Sequence, residues 1–143
     1  NYDALVSWDV LEHVPNPGRF IELAYGLIKP GGIFAFSTVD IDSWFARLMR
    51  GKWPWIMEMH LYYFGAGSLE RMLLSSGFEV IKVEGYRHYA SLPYAYEKFH
   101  SAFSGPIKTI LKSLNFLVPN IIVPICLGDI KLYICRKKCA SNG

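Results

Sequence analysis

The stretch from Ala4 to Thr38 constrains the fold more than any other part of this sequence. Ala4-Leu5-Val6-Ser7-Trp8 is a nearly continuous apolar run, as expected of a strand buried on both faces. Asn16-Pro17 places a helix-capping side chain before a proline at the first helical position. Phe20, Leu23, Ala24, Leu27 and Ile28 then recur at i, i+3, i+4, i+7 and i+8, which predicts one apolar helix face. Lys29-Pro30-Gly31-Gly32 stops that helix, with a cation near its negative end and glycines free to turn. Ile33 to Thr38 reads as a second buried strand. Two strands joined by a helical connection of this length run parallel, so the spacing predicts an α/β fold.

The rest of the chain continues the alternation. Asp40 to Met49 is expected to be helical, with Ile41, Trp44, Phe45 and Leu48 on its apolar side. Gly51 to Phe64 is aromatic and irregular. Ser68 is placed to cap a helix running to Ser76, with Leu69, Met72 and Leu73 inward and Gly77 at its end. Glu79 to Glu84 and Ile130 to Arg136 read as strands that pair antiparallel at the sheet edge. Between them, residues 87–128 are too long for an ordinary loop and should carry structure of their own. There, Ile107, Ile110, Leu111, Leu114 and Leu117 form a helical stripe, with Lys108 and Lys112 off it. The expectation is one domain over residues 1–143 with an insertion at about 87–128.

Composition narrows the classes. The 143 residues are 52% hydrophobic, 15% aromatic and 19% charged, which excludes a disordered chain. A net charge of +3 without a long basic run gives no footprint for nucleic acid. Cys126, Cys135 and Cys139 are odd in number and lack CxxC spacing, which argues against disulfides and zinc and fits a reducing cytoplasm. Cys135, inside an apolar run, is expected to be a packed thiol. The longest apolar stretch, Phe116 to Leu127, is broken by Pro119, Asn120 and Pro124, short of the ~20 apolar residues a spanning helix needs. The chain opens Asn1-Tyr2-Asp3 without Met, so a preceding part of a longer protein is expected.

In open α/β sheets ligands bind outside the carboxyl ends of the strands. Ser7, Trp8 and Asp9 end the first strand, Glu12-His13 follow, and Ser37, Thr38 and Asp40 end the second. A neutral His13 there is a candidate general base. The alternative is that His13 caps the junction and Glu12 is solvated. His60, after a Trp-rich loop, is a second candidate, or else a histidine packed beside Tyr62 and Tyr63. Trp53 and Trp55 line a pocket or close the core. His88 and His100 have no partner at ligand spacing, and no cluster supports a metal site.

The run Tyr2-Asp3-Ala4-Leu5-Val6-Ser7-Trp8-Asp9-Val10-Leu11-Glu12-His13-Val14-Pro15-Asn16-Pro17 resembles the fourth strand and following loop of class I S-adenosylmethionine-dependent methyltransferases. Leu27-Ile28-Lys29-Pro30-Gly31-Gly32 resembles their LKPGG turn. Glu58 to Phe64, Leu69 to Leu73, Ser76 to Val80 and Leu127-Gly128-Asp129-Ile130 are similar to small bacterial members related to ubiquinone-type O-methyltransferases. The resemblance implies a Rossmann-like sheet, of which this chain would supply strands four to seven: two parallel strands plus an antiparallel terminal hairpin. It implies S-adenosylmethionine as cofactor, with Ser7, Trp8 and Asp9 bordering its methionine part. For Trp8, core packing is an equal alternative. His13 would be the base, with Glu12 orienting it. Some ubiquinone-type relatives use a divalent ion, whose ligands are not assignable here.

The family's glycine-rich loop is not in this sequence. Gly65-Ala66-Gly67 follows no buried strand and has Glu70 where the third glycine would fall. The chain alone is therefore expected to be inactive, with an unpaired sheet edge. The implied function is methyl transfer to a small-molecule acceptor, a glycan or lipid-linked precursor among them. The alternative is a non-catalytic interaction module or a truncated gene product. The 107–127 segment would form a lid or touch a membrane surface.

Overall fold

The computed structural model describes residues 1–101 and 103–139. They form two compact units, residues 1–86 with 127–139, and residues 87–126. The insertion thus packs as a unit of its own, and Leu127 and Gly128 belong with the sheet.

In the larger unit, β1 (Tyr2–Trp8) is followed by α1 (Pro17–Leu27) and β2 (Ile28–Val39). Next come α2 (Trp44–Met49), α3 (Ala66–Ser75), β3 (Phe78–Gly85) and, after the insertion, a last strand, Ile130–Lys137. The sheet order is β1, β2, the last strand, β3. β1 and β2 are parallel, and the last strand runs antiparallel to both of its neighbours. The alternation of strand and helix therefore predicts this topology correctly. The two late strands form one edge of the sheet as a pair, with β3 outermost and the last strand between β2 and β3.

Asn16 caps α1 by accepting the Arg19 amide at 2.9 Å. The inward face of α1 is Ile21 and Ala24, with Phe20 and Tyr25 partly buried, while Leu23 and Leu27 are exposed. The predicted face is thus rotated, because Tyr25 reaches Phe78 edge-on at 5.2 Å. Lys137 of the last strand, rather than Lys29, serves the helix's negative end: its Nζ donates to the carbonyls of Tyr25 at 2.7 Å and Ile28 at 2.8 Å. Lys29 pairs with Asp3 on the surface.

β2 starts earlier than predicted. Tyr2 pairs with Ile28 and Ala4 with Ile33, so Lys29-Pro30-Gly31-Gly32 is a bulge inside the ladder. Gly31 has φ +78°, and a Cβ on Gly32 would lie 2.8 Å from the Asp3 carbonyl oxygen. Backbone conformation and close approach, respectively, select glycine at these two places. α3 also starts earlier than predicted, at Ala66. Ser68 is inside its first turn, where its Oγ donates to the Gly65 carbonyl at 2.7 Å rather than capping.

Two clusters of buried residues make the core: Val39, Ala46, Trp53 and Ile130 form the smaller, and the larger lies on one face of the sheet. Phe34, Phe36, Phe78, Tyr133 and Cys135 meet Ile21, Ala24, Leu69 and Leu73 from α1 and α3. Phe36 stacks on Phe34 at 4.7 Å and on Tyr133 at 5.2 Å. Burial pushes the Cys135 thiol up to about 12, which makes it a packed, unreactive group. β1 is not buried on both faces. It has one strand neighbour, and Val6 and Trp8 are exposed. α2 is shorter than expected, and Ile41, Trp44 and Leu48 are exposed while Ala46 is buried.

In the smaller unit, β4 (His88–Ser91) leads into α4 (Leu92–Ser101) and α5 (Gly105–Ser113), and β5 (Ile122–Ile125) pairs antiparallel with β4. The last strand of the larger unit is therefore β6. Tyr96 of α4 donates from its hydroxyl to the Leu111 carbonyl at 2.7 Å. His100 is buried with its ring edge-on to Tyr96, as a packing residue. Among the described residues no helix is long and apolar enough to cross a membrane.

Candidate active site

The site forms where β1 and β2 end. Asp9, just past β1, has φ 51°, a left-handed conformation uncommon outside glycine. Ser37 holds it there. The Asp9 amide donates to Ser37 Oγ at 3.0 Å, and that hydroxyl donates to Asp9 Oδ1 at 2.6 Å. A tight turn follows, closed by the His13 amide on the Val10 carbonyl at 2.9 Å. The turn sends Leu11 into the core and Glu12 under the end of β2, and places His13 at the cavity.

Glu12 is 1% exposed, so it is not the solvated group of the alternative reading. Thr38 Oγ1 donates to its Oε2 at 2.9 Å. Burial raises the Glu12 pKa, against the opposing hydrogen bonds from its own backbone and Thr38. The Glu12 carbonyl accepts the amides of Leu61 at 2.8 Å and Tyr62 at 3.2 Å, and Tyr62 donates its hydroxyl to the Pro15 carbonyl at 3.0 Å. These bonds fasten the aromatic segment to the 12–15 turn and so bring His60 to His13. The two rings lie 4.6 Å apart, edge to face.

His13 Nδ1 lies 2.8 Å from the Met59 carbonyl oxygen. A carbonyl only accepts, so Nδ1 carries the proton and Nε2 of the neutral ring keeps its lone pair. His60 Nδ1 is buried without a hydrogen-bond partner among the described residues. Its pKa is lowered, first by burial and then by the neighbouring His13, so its ring is neutral at pH 7.

Asp9, Glu12, His13, Val39, Trp55, Met57, Met59, His60 and Ile130 enclose an open cavity of about 190 Å³. Of the predicted residues, Asp9, Glu12, His13 and His60 meet here. Ser7 is half-buried in β1 and Trp8 stacks on Tyr86 at 5.8 Å, and neither lines the cavity. Trp53 is core and Trp55 lines the cavity. One donor atom from each of Glu12, His13 and His60 lies within 4.8 Å of the others. A carboxylate and two imidazoles can hold a first-row divalent ion. Residues 12 and 60 are too far apart in the chain for spacing to reveal this grouping.

Sequence reasoning also missed Asp129. Its buried carboxylate accepts the indole N–H groups of both Trp53 and Trp55 at 2.9 Å, and its carbonyl accepts the Asp40 amide at 2.8 Å. One acid thus ties the tryptophan loop to the start of β6. Its signal was a carboxylate placed between a glycine and an apolar strand.

Residues 1–83 match the family model described as a methyltransferase domain. Over 39 residues, 27% of this chain and 16% of the relative, the sequence is 44% identical to a ubiquinone biosynthesis O-methyltransferase of Shewanella halifaxensis. The protein of that name from Burkholderia pseudomallei is 26% identical over 97 residues, covering 62% of this chain and 41% of that protein. The chain thus spans less than half the length of these curated relatives. Its fold is similar to a SAM-dependent methyltransferase of Thermotoga maritima, with TM-score 0.55 and 18% identity over 95% of this chain and 56% of that one. It is also similar to an S-adenosylmethionine-dependent methyltransferase of Mesorhizobium loti, with TM-score 0.51 and 18% identity over 94% and 61% of the two chains. The parallel–antiparallel sheet and the family match over residues 1–83 agree: this chain belongs to the methyltransferase-domain family, among the class I S-adenosylmethionine-dependent methyltransferases.

Proposed function

We propose that this chain is the acceptor side of a methyltransferase that uses S-adenosylmethionine to methylate a small molecule, with His13 as general base. The convergence of Glu12, His13 and His60 in one cavity at the carboxyl ends of the parallel strands carries this reading. When bound, the cofactor supplies a methyl group on a positively charged sulfur. The residues present suit one end of it. The exposed Asp9 carboxylate matches an ammonium group, and the half-exposed Trp8 ring offers a π-face to a cation. The ribose and adenine ends need the glycine-rich segment that this sequence lacks, so they fall to a preceding part of the protein.

The acceptor lies in the cavity, against Val39, Met57 and Trp55. His13 Nε2 takes the proton from its hydroxyl or amine. The lone pair so freed would receive the methyl group that the cofactor, held at Asp9 and Trp8, would supply. Glu12, held by Thr38, fixes the turn and faces the charge that develops on His13. His60, kept neutral, adds a second acceptor beside the first. Alignment supplies much of the rate in such an in-line displacement.

The test uses the chain extended to its natural start, beside the 143-residue form. S-adenosylhomocysteine should titrate into the extended chain alone. His13→Gln should leave that binding intact and lower methyl transfer by roughly 10²–10⁴, the usual contribution of a general base. Binding by neither form moves the reading to a non-catalytic module. Loss of activity on chelation, restored by a divalent ion, would reassign the same three side chains as metal ligands.

A further inference from the structure

We propose that α5 and the residues that follow it form a docking surface for anionic lipid. In α5 every described side chain is outside the core of its unit. Ile107, Ile110, Leu114 and Leu117 recur at i, i+3, i+7 and i+10 and are all exposed, Ile110 at 60%. The segment after the helix adds Phe116, exposed at 80%, with Ile121 and Ile122. Soluble surfaces scatter such residues singly; here seven fall within sixteen positions, a density that marks an interaction site.

Charge selects the occupant. From Lys98 to Gly128 the sequence has no Asp or Glu, while Lys98, Lys108 and Lys112 are present. Lys108 and Lys112 are exposed and lie on the side of α5 away from the apolar stripe. A helix with apolar residues on one side, lysines on the other and no carboxylate lies flat at a bilayer surface and prefers negative headgroups.

This surface is independent of the methyl-transfer reading, since its test needs no donor. The purified chain is sedimented with vesicles of phosphatidylglycerol and, separately, of phosphatidylcholine. The expected result is binding to the first, weakened by salt and by at least tenfold in Ile110→Asp/Leu117→Asp and in Lys108→Glu/Lys112→Glu. Circular dichroism should be unchanged in both variants, because the replaced side chains are exposed. Equal binding to both vesicles, binding unaffected by either variant, or no binding overturns the proposal. Self-association in sedimentation velocity that Ile110→Asp abolishes, without vesicle binding, assigns the stripe to a second copy instead.

Discussion

α3 and α5 carry the same kind of apolar periodicity and meet opposite ends. Leu69 and Leu73 of α3 are buried against the sheet beside Phe78. Ile107 and Ile110 of α5 stay exposed, and the Leu111 carbonyl of that helix accepts the Tyr96 hydroxyl of α4. Periodicity states that a helix has an apolar side; it does not say what covers it. A covered stripe contributes to folding, whereas an exposed one is available for binding. The two helices therefore differ in what a substitution should cost.

Phe34→Ala gives the largest contrast with α5. Phe34 is fully buried between Phe36 and Phe78, and removing its ring should cost about 3–5 kcal/mol. Ile110→Ala should move stability by no more than about 0.5 kcal/mol, as exposed positions do. Urea midpoints of both variants check the pair, and comparable losses would break the distinction. Asp129→Ala sharpens it within the larger unit. It removes the acceptor that the Trp53 and Trp55 indoles share and leaves the Trp53 N–H buried without it, at a cost of roughly 1–3 kcal/mol. Tryptophan fluorescence should shift to the red as the loop loosens, while vesicle binding through α5 stays unchanged.

The smallest effect is pH-dependent. The His60 pKa lies below its ordinary 6.5 in the folded chain, so the unfolded chain takes up the proton first as pH falls. Stability is fully present above pH 6.5 and declines from there toward the lowered folded value. His60→Asn should flatten that part of the stability–pH curve and leave the neutral range alone. Denaturant melts of both proteins between neutral and acid pH would expose the error if the slope persists in the variant.

Local signals carried most of the topology. Asn16-Pro17, the apolar runs on either side and the two late strands dictate a parallel pair followed by an antiparallel hairpin, because capping and chain connectivity act over a few residues. The glycine pair at 31–32 was legible too, though as a turn rather than a bulge. Its role depends on the Asp3 carbonyl, which only the pairing of β1 and β2 brings close. Likewise the burial of Tyr133 and Cys135 in β6 follows from α1 and α3 both packing against them, which no pattern within the strand records.

The site divides in the same way. Glu12 and His13 stood out because they follow a strand end, and that much is local. That Glu12 is buried under Thr38, that His13 is held as one tautomer by Met59, and that His60 stands beside it all depend on contacts between residues 26 to 47 positions apart. Asp129 reaches Trp53 across 76 positions. Sequence order prescribes which elements form and how they connect, since those depend on propensity and short-range hydrogen bonds. Burial, protonation and the meeting of distant donors belong to the tertiary structure, because they depend on which surfaces exclude water together.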